Sequence, residues 1–228
     1  MGHTVSWNKY LFYTSVSLLL AGCESTVQAP VEELRPQFSM NHANASYTVR
    51  PGDTLFAIAF LFDQNVEQLA RLNHLSYPYR LRTGQVIRLT SHVTRAVQHV
   101  QASMPRLISR GAWAWPAQGR IKPYAQNPIE SKGLNILGTY GQTITAAQSG
   151  VVAYAGNGLP GYGLLILIKH EHEYLTAYAF NAKIFVKEGL MVQKGQRIAS
   201  MGYMSPGIAG LHFEIRYRGV ALAPRKFL

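Results

Sequence analysis

Two short stretches in the second half of this chain gather residues with the chemistry to hold a metal or move a proton. One is His170-Glu171-His172-Glu173. Alternation places His170 and His172 on one side if the preceding strand runs on through them. The stretch lies between two apolar runs, so a solvated turn is expected there rather than a metal cluster. The other holds His212, Glu214 and Arg216. By period two these share one face of a strand, while Leu211, Phe213 and Ile215 share the other. A catalytic zinc needs about three protein ligands and an open position for water, and neither stretch supplies that set alone. There is no His-Glu-x-x-His helix, no glycine-rich phosphate loop and no Ser-His-Asp arrangement that the spacing supports. Ser149 and Ser205 stand beside glycine or proline and read as turn residues. No cofactor is expected.

The single cysteine, Cys23, is explained by what precedes it. Lys9 is followed by an apolar stretch from Tyr10 to Leu20, then by Ala21-Gly22-Cys23. That order is a charged region, a hydrophobic region and a small-residue cleavage site. The apolar stretch is shorter than the roughly 20 residues of a spanning helix. Leu20-Ala21-Gly22-Cys23 resembles the lipobox of bacterial lipoproteins. The resemblance implies a signal peptide over 1–22 and lipid attachment at Cys23, with a polar tether over 23–45. Glu24 rather than Asp follows the cysteine, which in that class implies the outer membrane, facing the periplasm. The chain carries 22 Lys and Arg against 11 Asp and Glu, a net charge of +11. The bases are scattered, so no basic block points to nucleic acid. General attraction to an anionic wall or to lipid head groups is the implied consequence.

The elements that must position any site begin at Ser46. Tyr47 and Val49 alternate with polar neighbours as in a strand. Pro51-Gly52-Asp53 reads as a turn, with Asp53 placed to cap the helix that follows. Leu55, Ile58, Ala59 and Phe62 mark one face of that helix. Asn65 caps a second helix, with Gln68 three residues on, and Val86 to Leu89 reads as a second strand. Tyr47-Thr48-Val49-Arg50-Pro51-Gly52-Asp53-Thr54-Leu55, Ile58-Ala59, Leu69, Asn73 and Leu81-Arg82-Thr83-Gly84-Gln85-Val86-Ile87 together resemble a LysM domain over 46–90. The resemblance implies an α+β strand-helix-helix-strand fold that binds N-acetylglucosamine-containing glycans of peptidoglycan. It places the sugar at Gly52, Asp53, Thr54, Leu55, Asn73, Tyr77 and Tyr79. Tyr77 and Tyr79 read equally as sugar-stacking or as packing residues.

Residues 91–112 turn polar, with a thin stripe of Val93, Val97, Val100 and Met104, and read as a linker. From 113 to 228 short apolar runs alternate with Gly and Pro turns, which predicts a mainly antiparallel, sandwich-like β domain. Strands are expected over 144–147, 151–155, 164–169, 174–180 and 211–217. Trp115-Pro116, Gly150-Val151-Val152-Ala153-Tyr154-Ala155-Gly156, Gly161-Tyr162-Gly163 and Leu211-His212-Phe213-Glu214-Ile215-Arg216 resemble the M23, or LytM, family of zinc metallopeptidases.

That family uses His-x-x-x-Asp, a His after Tyr-Ala, and His-x-His before Phe-Glu. Here the first motif falls on Ser131-Lys132-Gly133-Leu134-Asn135, the second on Tyr178-Ala179-Phe180 and the third on Gly210-Leu211-His212. One of three zinc ligands remains, and a Ser hydroxyl and an Asn amide do not replace imidazole and carboxylate. Without the metal, water keeps its high pKa. The expected domain is a peptidase fold that is not an enzyme. The order of lipobox, LysM and altered M23 domain resembles the NlpD-type murein hydrolase activators. The resemblance implies that the former groove, at Ser131, Asn135, Phe180, Gly210 and His212, engages an N-acetylmuramoyl-L-alanine amidase.

Overall fold

The computed structural model describes Gly2, residues 45–90, 113–122, 129 and 132–228. All of the expected signal segment but Gly2, all of the expected tether but Ala45 (Cys23 included), the expected linker over 91–112 and Ser131 lie outside the described residues. The described residues from Ala45 onward belong to one compact unit.

The first domain is β1 (Ser46–Thr48), α1 (Leu55–Leu61), α2 (Val66–Leu72) and β2 (Val86–Arg88). The two strands pair antiparallel with Tyr47 opposite Ile87. Both helices have only seven residues, too short to persist without packing. Leu55, Ile58, Leu69 and Ile87, all fully buried, supply it. Asn65 caps α2 as expected, its Oδ1 accepting from the Gln68 amide at 2.8 Å. The cap of α1 differs from expectation. Thr54, not Asp53, accepts from the Ala57 amide, at 3.1 Å. The Asp53 carboxylate is engaged one turn earlier, accepting from the Arg50 amide at 2.8 Å and the Tyr47 hydroxyl at 2.7 Å.

The second domain is an antiparallel sheet of ten strands. They are β3 (Arg120–Ile121), β4 (Leu134–Leu137), β5 (Thr143–Thr145), β6 (Gly150–Gly156), β7 (Leu164–Lys169), β8 (Tyr174–Ile184), β9 (Met191–Val192), β10 (Arg197–Ser205), β11 (Ile208–Tyr217) and β12 (Val220–Leu222). The antiparallel pairing is the one expected. The expected run at 144–147 begins and ends earlier, and β8 and β11 are longer than predicted. Neither β4 nor β10 was legible as a strand.

Register separates the two faces. Asn135, Ala179 and His212 stand side by side across β4, β11 and β8, as do Glu214 with Ala177 and Leu167 with Ala177. The opposite face carries Ile136, Tyr178, Leu211, Phe213 and Ile215, which belong to the main core. The expected split of β11 into a polar and an apolar face is therefore present. Helix α1 covers part of the polar row's face. Its Ala57 and Phe60 pack with Tyr154, Tyr162, Leu165, Leu167 and Ala179.

Candidate functional site

Four side chains form a continuous buried polar row under helix α1. His212 lies with Nδ1 at 2.7 Å from Asn135 Oδ1 and Nε2 at 3.0 Å from Glu214 Oε1. Arg216 Nε donates to Glu214 Oε2 at 2.7 Å. Arg216 Nη1 then crosses to the first domain, donating to the Phe60 carbonyl at 2.7 Å and to Asp63 Oδ1 at 2.8 Å. Its guanidinium sits 3.7 Å from the centre of the Phe60 ring, a cation–π contact strengthened by the lack of water. His212 and Glu214 are fully buried and Arg216 and Asn135 nearly so. Buried charges persist only when paired and hydrogen-bonded. Burial pushes the Glu214 carboxyl up, but Arg216 and His212 outweigh it and hold the group at about 2. Burial and then the Glu214 charge raise the Tyr162 hydroxyl above its usual range.

Phe180 stands beside this row on an irregularity of β8. Three residues of β8 span the interval that two residues of β7 span, from Ile166 opposite Tyr178 to Leu164 opposite Asn181. The extra residue makes a bulge, a device that re-aims side chains and recurs near active sites. Phe180 itself has φ 61°, a left-handed setting that costs a bulky residue about 1–3 kcal/mol. It is half-buried, with its ring 6.5 Å from that of His212.

The sequence-predicted groove residues are thus partly brought together. Asn135 and His212 touch, and Phe180 adjoins them. Gly210 is buried on β11, where a Cβ would meet Met204 Sδ at 2.6 Å. The predicted sugar residues are more dispersed. Asp53, Thr54, Leu55, Tyr77 and Tyr79 line one open cleft, whereas Gly52 and Asn73 do not. Asn73 instead ties α2 to β2, accepting from the Arg88 amide at 2.7 Å and donating to the Leu69 and Arg88 carbonyls. The predicted solvated turn needs correction at one residue. His170 is buried, with Nδ1 at 2.7 Å from the Ser149 carbonyl and Nε2 at 2.8 Å from Thr176 Oγ1. Arg216 and Asp63 as a bridge between domains escaped sequence reasoning. Nothing in local spacing links positions 153 residues apart.

The Peptidase family M23 model matches residues 130–224, and the LysM domain model matches residues 47–90. The Uncharacterized lipoprotein YgeR of Escherichia coli (strain K12) is 37% identical, covering 94% of this chain and 90% of its own length. The Lipoprotein NlpD/LppB homolog of Pseudomonas aeruginosa is 33% identical over 93% of this chain and 89% of its own. The Murein hydrolase activator NlpD of Salmonella typhimurium is 32% identical over 81% and 68%. This chain belongs to the NlpD family. Within the M23 domain of this NlpD-family chain, the described residues around His212 do not offer the donor set of a zinc ion. Both His212 nitrogens are already engaged, Asn135 offers an amide oxygen rather than a carboxylate, and Phe180 offers no donor atom. Among the described residues, no group of three or more His, Cys, Asp or Glu side chains is arranged to hold a metal ion. The relatives named NlpD are described as activators, not as peptidases.

Proposed function

We propose that this chain is a non-hydrolytic, wall-binding activator of an N-acetylmuramoyl-L-alanine amidase, acting in cell-wall remodelling and daughter-cell separation. In this reading Cys23 carries a lipid that anchors it to the outer membrane, the LysM domain holds peptidoglycan, and the M23 domain presents its former groove to the amidase. The observation that carries the proposal is the engagement of His212. It is hydrogen-bonded at both nitrogens and flanked by Asn135 and Phe180, and among the described residues no ligand set for zinc-assisted hydrolysis surrounds it. The names of the NlpD relatives support the activator half. Activation requires only that the chain bind the open amidase better than the closed one. A preference of about 1–3 kcal/mol changes the balance some 5- to 150-fold.

The test is dye release from labelled peptidoglycan by purified residues 24–228, alone and with amidases of the same cell. Release is expected only when an amidase is present. Phe180→Asp should abolish it while sedimentation on peptidoglycan persists. Chelator-sensitive release by the protein alone would overturn the proposal.

A second reading, a wall tether with no partner enzyme, is favoured by the burial of Asn135, Gly210 and His212 beneath the fold. No release with any amidase, together with intact sedimentation, would select it.

A further inference from the structure

The loops that the LysM resemblance marks for sugar do not face open solvent on all sides. They form one wall of a cleft of about 1040 Å³ whose other wall belongs to the M23 domain. Phe56, Tyr77 and Tyr79 stand on the LysM side, and Gln148, Met191 and Gln193 on the other. Two contacts set the floor. Thr54 Oγ1 donates to the Ala153 carbonyl at 3.2 Å. Lys169 of β7 reaches across with its ammonium 5.5 Å from the Phe56 ring centre and 5.9 Å from that of Tyr77. Lys169 is also 3.8 Å from Glu67, so both domains hold it.

We infer that this cleft is a composite binding site for an extended, uncharged, amide-bearing glycan strand, with the M23 domain contributing binding residues to sugars that the LysM loops alone cannot reach. The inference rests on the wall-binding half of the proposed function and adds the second wall to it. Three features select this class of ligand. The volume is at the upper end for ligand pockets and suits a chain of rings better than one. Tyr77 is 71% exposed and Met191 75% exposed, one on each wall, giving apolar platforms of the kind that ring faces cover. The charge is balanced where the chain as a whole is not. The whole sequence has twice as many bases as acids, yet Asp53, Glu171 and Glu188 line the cleft together with Arg80 and Lys169. A site for an anionic polymer would share the surplus of bases. Acids, bases and glutamine amides together suit hydroxyls and acetamido groups, which both donate and accept.

The test uses residues 24–228 and β-1,4-linked N-acetylglucosamine oligomers of two and six sugars as probes. The hexasaccharide should bind more tightly than the disaccharide. Met191→Asp combined with Gln193→Ala, both at exposed positions, should weaken the hexasaccharide about tenfold, near 1.4 kcal/mol, and leave the disaccharide unchanged. Tyr77→Ala should weaken both. A shift of the Met191 methyl resonance on adding hexasaccharide to the unaltered protein reports the same contact without any substitution. Equal binding of the two probes, with no effect of the M23-side changes and a still methyl signal, would overturn the composite site while leaving the LysM reading in place. No binding of either probe would overturn both. Hexasaccharide binding that vanishes at raised salt would mark a charge-driven site and overturn the choice of an uncharged ligand.

Discussion

At the scale of residues, two buried groups have their protonation set by the fold. Burial, offset only in part by the Ser149 carbonyl, lowers the His170 imidazole to about 4. Its ordinary value is about 6.5, so between these two values the unfolded chain binds a proton that the folded chain refuses. Stability is then full above about pH 6.5 and is lost as pH falls toward 4, by up to on the order of 3 kcal/mol. Urea midpoints at pH 7 and pH 5 should differ for the parent, and His170→Gln should flatten that difference even though it lowers stability at both. Glu214 is also depressed, to about 2. Its contribution is therefore present above the usual carboxylate value and disappears only in strong acid. Removing one member of its pair is a different matter. Glu214→Ala leaves Arg216 charged and buried, which should cost about 3–5 kcal/mol. Glu214→Ala with Arg216→Met should recover part of that loss. A double-mutant cycle in urea measures the coupling, and strict additivity would mean the pair does not act as a unit. The sequence placed His212, Glu214 and Arg216 on one face by period alone. It gave no sign that the face is dry, because burial there depends on a helix from another domain.

At the scale of elements, the legible parts were those with a complete local signal. Strand β7 was read to the residue because six apolar or amphipathic positions lie between clear turns. Strand β10 was missed because its Ala, Ser, Gly and Met residues have weak strand preference; pairing with β5, β8 and β11 makes it a strand. Helix α1 was found by its apolar spacing, but that spacing served two surfaces. Leu55, Ile58 and Ala59 face the LysM core, whereas Ala57 and Phe60 face the sheet. The junction between the domains is close enough to be tested at a glycine. Gly219 has φ 84°, and a Cβ there would lie 2.4 Å from the Gln64 carbonyl carbon. Gly207 has a similar φ of 73° with nothing near its Cβ position. Gly219→Ala should therefore destabilise well beyond Gly207→Ala, whose cost is the backbone term of about 1–2 kcal/mol. Equal losses in chemical denaturation would mean that the domains yield at this contact without penalty.

At the scale of the whole molecule, the two domains share a hydrophobic cluster and a buried arginine. Residues 45–90 and 132–228 should accordingly unfold in one calorimetric transition, with calorimetric and van't Hoff enthalpies in agreement. Asp63→Ala removes a partner shared by Arg216 and Lys132 and should split that transition or lower it by several degrees. Two independent transitions in the parent would show that the junction is not cooperative. Helix α1 carries the further consequence. Phe56 lines the cleft and Phe60, one helical turn later, packs on Tyr162 with Arg216 above it. A single helical turn thus joins the cleft to the buried polar row. A ligand in the cleft that shifts this turn alters affinity for any second ligand that shifts it too. Reciprocity then holds without further assumption: the factor by which a wall sugar changes the hold on a partner equals the factor by which the partner changes the hold on the sugar.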